Sequence, residues 1–218
     1  MELSENLNEA ASFTGKLLND LGNLILLIVL DLIPIVNLIV VGYTAKIIRE
    51  SPEEPPKLSD YGKLFIDGLL VALAVLIYSL IPIIIMIAGI FVSSPFPAWA
   101  YPGRMLPSFP ILASLPFIVI GLVLLFVFMI MGVMAIGNMI RTGDFSKIFA
   151  FNENWELIKR LGFGKYLLWL IVMFIILLIV GAIGSVIPWV GSAIAGVFFS
   201  VFLGKSLASI LNEVRGPS

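Results

Sequence analysis

The chain has 218 residues, 60% of them hydrophobic and 12% charged, with a net charge of -1. A soluble domain carries about 25% charged residues; half that load, gathered around long apolar runs, argues against a soluble globular protein and for one embedded in a bilayer. The near-zero charge makes no case for nucleic acid, and the absence of Cys and His removes disulfides, thiolate chemistry, the usual general base and the commonest transition-metal ligand.

Residues 1–15 carry Leu3, Leu7 and Ala10 or Ala11 at helical spacing, with Ser4 and Asn6 as candidate N-caps. The segment is too polar to span and reads as an interfacial helix. Glu2, Glu5 and Glu9 precede the first basic residue, Lys16, so the start does not read as a secretory signal.

Two readings compete for residues 17–48. A single helix kinked at Pro34 would be about 48 Å long and would place Asp31 at mid-membrane, at a cost of roughly 2.5–3.5 kcal/mol. A hairpin turning at Ile33-Pro34-Ile35-Val36-Asn37 places Asp31 near the far interface and lets Asn37 satisfy turn backbone. The hairpin is the cheaper arrangement, although its arms are short enough to sink the turn below the headgroups. The polar stretch that follows contains Pro52, Glu53, Glu54, Pro55 and Pro56, and Ser59 or Asp60 is placed to cap the next helix.

A second hairpin is expected over 64–140, with Pro82 kinking its first arm and a loop at 93–110 holding five prolines together with Trp99 and Tyr101, residues of the headgroup layer. Residues 141–165 place Phe145, Ile148, Phe149, Trp155, Ile158 and Leu161 at helical spacing beside Lys147, Lys159 and Arg160, which is the composition of an interfacial helix on an anionic leaflet. A third hairpin is expected over 166–211, turning at Pro188-Trp189-Val190-Gly191. The expected fold is therefore all-α: one transmembrane domain of about six spans in three hairpins, with interfacial helices.

The three ascending runs share an Ile-Pro near their far ends, at 33–34, 81–82 and 187–188, and the entries TGKLL (14–18), YGKLF (61–65) and FGKYL (163–167) rhyme. Internal repeats of this kind are common in membrane transport folds. Six spans place every basic residue but Arg104, of 13 in all, on one side, which the positive-inside rule makes the cytoplasm, together with both termini.

The stretch IPIVNLIVVGYTAKIIRE, its Pro/Glu hinge and LSDYGKLFIDGLL carry an IPxxN turn (Ile33, Pro34, Asn37), a Gly42-Tyr43 pair, a basic exit at Arg49 and the entry Tyr61-Gly62 through Phe65 to Asp67-Gly68-Leu69. In these features the chain resembles a largely archaeal membrane family, domain of unknown function 4013. The motifs cover about the first 85 residues, and the remainder agrees by hydropathy. The resemblance implies an integral membrane protein and supplies no activity.

Asp31 with Asn37 and Tyr43 forms a candidate intramembrane polar site for a cation or proton; the plain alternative is a carboxylate at a turn end. Lys63 and Asp67, four residues apart at a helix start, form a candidate cytoplasmic gate or a solvated cap. Glu53, Glu54 and Asp60 match no known cation loop. Gly184, Gly191, Ala195 and Gly196 form a candidate helix-packing face, serving this chain or a second copy. No nucleotide loop, triad or zinc spacing is present, so no cofactor, metal or enzymatic activity is expected. The readings that remain are a transporter- or channel-like protein for an ion or small solute, and a non-catalytic scaffold whose cytoplasmic loops, 49–63 and 141–165, dock a membrane-protein partner. With no native thiols, a cysteine at Glu5 tests the topology: an impermeant maleimide added to intact cells should leave it unlabelled, and labelling from outside would exclude the six-span arrangement.

Overall fold

The computed structural model describes residues 2–93 and 111–215, and every regular element among them is helical. The order is α1 (Leu3–Gly15), a 3-10 turn (Lys16–Asn19), α2 (Leu21–Leu32), α3 (Leu38–Glu50), α4 (Tyr61–Ser93), α5 (Ile111–Thr142), a second 3-10 turn (Phe145–Phe149), α6 (Phe151–Leu161), α7 (Phe163–Gly184) and α8 (Val190–Arg215). The loop expected at 93–110 lies, from residue 94 on, outside the described residues, together with Trp99, Tyr101 and Arg104.

Among the described residues four helices are long and apolar enough to cross a membrane: Tyr61–Phe91, Ser114–Thr142, Phe163–Gly184 and Val190–Arg215. Their outward residues are apolar. On α7, Leu168, Ile171, Phe174, Ile175, Leu178 and Ile179 are all exposed, a surface that water does not tolerate and lipid does. The chain is thus a membrane-embedded helical protein.

The first hairpin departs from the expected pair of spans. The chain reverses at 33–37 and α2 packs on α3, so the single kinked helix is excluded. The arms hold 12 and 13 residues, about 18 and 20 Å of helix, against a hydrocarbon core of about 30 Å. The segment Leu3–Asn19 meets α2 at 102°, so α1 runs across the direction in which α2 enters. Among the described residues there are thus four full-length candidate spans, or five if the bent pair Leu3–Asn19 and Leu21–Leu32 is one span, against the six or so expected.

The turn that makes this hairpin recurs. Ile33-Pro34-Ile35-Val36-Asn37 and Ile187-Pro188-Trp189-Val190-Gly191 each follow proline with a left-handed residue, Ile35 at φ 72° and Trp189 at φ 65°. Both turns thus hold a non-glycine residue at positive φ directly after proline. Each is closed by the same bond, Asn37 N–H to Ile33 O at 3.0 Å and Gly191 N–H to Ile187 O at 2.9 Å. The third Ile-Pro behaves differently, because Pro82 sits inside the continuous α4. The caps proposed for α1 are also corrected. Its N-cap is Glu2, with no side-chain cap bond, and Asn6 is buried against α8 instead.

The residues fall into two compact units. The larger holds 1–74 and 133–218 and is organised around α8, on which α1, α2, α3, α6 and α7 all pack. Over half of the apolar window of α8 is buried, 56% against 22% for α7. Its core joins Phe13 and Leu17 to Leu24 and Leu27 of α2, Val40, Tyr43 and Ile47 of α3, and Val197 and Val201 of α8. The smaller unit, 75–132, holds parts of α4 and α5. There the Tyr78 ring meets Phe128 edge-on, with centroids 6.4 Å apart.

The crossing of α3 and α4 is set by two glycines. A Cβ on Gly42 would overlap the carbonyl of Leu64, and one on Gly68 would overlap the carbonyl of Leu38. The two backbones meet directly, as small residues permit. Gly42→Ala or Gly68→Ala should therefore destabilise the protein by about 1–3 kcal/mol or more, read as a lower melting temperature in detergent. Gly62→Ala, with nothing within 4 Å of an added Cβ, should leave it unchanged or slightly raised.

Candidate functional site

The predicted polar trio is not brought together. Tyr43 stands six residues beyond Asn37, about 9 Å farther along α3, and its hydroxyl donates to the Pro56 carbonyl at 2.7 Å. It holds the Pro/Glu hinge, as does Asn23, whose amide donates to Pro56 O at 3.3 Å and accepts from Leu58 N–H at 2.9 Å. Asn37 is the N-cap of α3 but makes no side-chain cap bond.

Asp31 is the residue left in an apolar setting. It lies in the last turn of α2, half-buried, between the exposed Leu32, Ile33 and Ile35 of the turn and the flank of α8. A Cβ on Gly196 would stand 3.1 Å from its Oδ2, so glycine makes room for the carboxylate. Among the described residues its carboxylate accepts no hydrogen bond and faces no cation. The last carbonyls of α2, the negative end of the helix dipole, lie beside it.

Lys63 and Asp67 do not pair as a cap. Asp67 Oδ2 takes Arg49 Nη1 at 2.8 Å, while Arg49 Nε donates to Ile140 O at 3.1 Å, tying the end of α3 to α4 and α5. Lys63 lines a cleft of about 60 Å³ with Lys46, Arg49, Glu50, Asp60 and Asp67, in which three cations meet three carboxylates.

The small-residue face works within the chain. A Cβ on Gly184 would lie 2.7 Å from the Ala195 Cβ and 3.0 Å from the Gly191 carbonyl. These residues seat the α7–α8 turn, and Gly196 faces α2.

Sequence reasoning missed the polar stripe of α8. Lys205 is 6% exposed, 3.0 Å from Glu9 of α1 and 3.0 Å from the Pro52 carbonyl, with the Phe13 ring 5.2 Å away. Ser206 accepts from Trp169 Nε1 at 2.8 Å and donates to Asn6. Arg141 donates to Arg49 O, Ala208 O and Asn212 Oδ1, and Asn212 donates to Ser51 Oγ at 2.9 Å. The signal was available as polar residues at 205, 206, 209, 212 and 213, recurring at helical spacing along one edge of α8. Among the described residues no group of three or more acidic side chains is placed to hold a metal.

The α6 end of this layer is closed by Glu153. It accepts from Lys147 at 2.7 Å, from Asn138 at 3.2 Å and from Arg215. The Lys147 bond is the first cause holding its carboxyl below the ordinary 4.5. A depressed carboxyl contributes stability that is fully present above its unfolded-state pKa and lost as pH falls through the folded value. Glu153→Gln should therefore lower the melting temperature by a constant amount over about pH 6 to 8, and the gap to the unsubstituted protein should close as pH is taken below 4.5. A gap that persists undiminished into acid would show that the charge on Glu153 does no work.

A family model described as "Protein of unknown function (DUF4013)" matches residues 25–189, about three quarters of the chain, from within α2 to the α7–α8 turn. The match reaches well beyond the first 85 residues in which the motifs are legible. No curated protein and no solved structure matches the chain.

Proposed function

The chain belongs to the family DUF4013, and from that premise we propose that it is a small transporter- or channel-like membrane protein that handles a cation or a proton at Asp31. The observation that carries this reading is the half-buried carboxylate on an apolar hairpin, with no partner among the described residues. In hydrocarbon an unpartnered carboxylate is costly and must gain a proton or a cation. The site chooses positive charge, because the carboxylate and the carbonyl end of α2 have the same sign. Short helices that end inside the bilayer place such groups at depth in transport folds. Asn37, at the start of α3, sits across the same turn.

In this reading the polar end of the larger unit is cytoplasmic, with both termini and the basic loops, by the positive-inside rule. The protein lies in the cell membrane as a multi-pass protein and carries no catalytic role.

Flux in proteoliposomes tests the proposal. Reconstituted protein should dissipate a proton or monovalent-cation gradient, and Asp31→Asn should reduce that flux at least tenfold while leaving the melting temperature nearly unchanged. Flux equal in the two proteins would remove Asp31 from the path. The alternative is then a scaffold, and one observation favours it: the loops 49–63 and 141–165 are tied to α8 and α3 through Lys205, Asn212, Tyr43 and Arg141, which makes the polar end a rigid platform for a protein partner.

A further inference from the structure

The outer edge of α6 takes no part in the sites above, and its 11 residues divide into three faces. Asn154, Leu157, Ile158 and Leu161 are buried. Phe151 and Trp155 share a second face, 54% and 40% exposed, with Phe149 before the helix and Phe163 after it at 53% and 43%. Asn152, Glu156 and Arg160 recur every four residues on a third, exposed face.

The aromatic face does not stop at the end of α6. Gly162, at φ 92°, makes the corner into α7, and across it the Trp155 and Phe163 rings lie 5.8 Å apart. From Phe163 the exposed apolar surface continues along α7 through Leu168, Ile171 and Phe174. An aromatic edge joined to the lipid-facing side of a span is where interface belts form.

Charge does not explain the edge. Lys159 is paired with Glu156 at 2.6 Å, Lys147 with Glu153 at 2.7 Å and Lys165 with Glu213. Two of the three cations that read from sequence as headgroup ligands, Lys147 and Lys159, are thus matched by carboxylates, and the third, Arg160, lies on the polar face with Asn152 and Glu156 and not on the aromatic edge.

We propose that this edge lies in the lipid interface, sunk among phospholipid headgroups and upper acyl chains where α7 enters the bilayer, and that aromatic area holds it there without a requirement for anionic lipid. The inference stands apart from the role given to Asp31.

Spin labels read it directly, since the chain has no native cysteine. Trp155→Cys and Asn152→Cys are each labelled in the full chain and reconstituted into phosphatidylcholine vesicles, with and without phosphatidylglycerol. The label at 155 should be accessible to oxygen and shielded from a water-soluble nickel chelate, the label at 152 should show the reverse, and neither should change with lipid charge. Phe151→Cys repeats the first pattern at a second position. Equal nickel access at 155 and 152 would overturn the proposal. So would shielding at 155 that requires phosphatidylglycerol, or shielding from both reagents, which would mean a protein neighbour rather than lipid.

Discussion

Twelve residues of helix cannot cross a hydrocarbon core, and that shortfall in α2 governs the architecture. A helix of about 18 Å falls short of that core, and the chain turns back at Ile33–Asn37 through local backbone bonds. Proline removes one N–H outright. Ile33, Asn37, Leu38 and Ile39 donate to Leu30, Ile33, Ile35 and Val36. The price is a β-branched residue, Ile35, in the left-handed region at φ 72°, a conformation costing about 1–2 kcal/mol. Turning early also leaves Asp31 half-buried beside Gly196 of α8, with no hydrogen-bond partner among the described residues.

The second use of the same turn shows what length alone changes. α1, α2 and α3 follow the order of α6, α7 and α8: a helix with a polar face, a Gly-Lys entry, an ascending helix, an Ile-Pro turn and a descending helix. In the later copy the arms run 22 and 26 residues, enough to span, and the positions of Asp31 and Asn37 hold Ser185 and Gly191. The copies also pack on one another, since α2 and α3 both lie against α8. Gly196 occupies in the later turn-and-helix the place of Gly42 in the earlier one, and both glycines admit a neighbour: Gly42 the backbone of α4, Gly196 the carboxylate of Asp31.

At the polar end the same helix gathers charges that composition shows only as loop residues. Lys205 of α8 is buried, and a buried ammonium is tolerable only when its donors are met. Glu9, the Pro52 carbonyl and the Phe13 ring meet them from α1 and the hinge. Arg49, Arg141 and Arg215 are similarly committed. Four of the 13 basic residues are thus engaged in holding one helix to another, Lys205 and Arg215 among them tying α1, the hinge and α6 to α8.

Sequence alone determined that this chain is helical and membrane-embedded, where its first and last hairpins turn and to which family it belongs. Each of these rests on a local property: apolar run length, or the placing of proline and glycine. Gly42-Tyr43 and Asp67-Gly68 were likewise visible as a motif, though not their meaning. Tertiary structure decided the rest. The first hairpin is short, because its helices run only from Leu21 to Leu32 and from Leu38 to Glu50. Asp67 answers Arg49 of another helix and not Lys63 of its own, because the contact at Gly42 and Gly68 brings those helices together. Tyr43 is drawn to the hinge and away from Asp31 by its position on α3. Run length and local pattern are carried by neighbours in sequence, but a partner for a charge is chosen by the crossing of helices far apart in the chain.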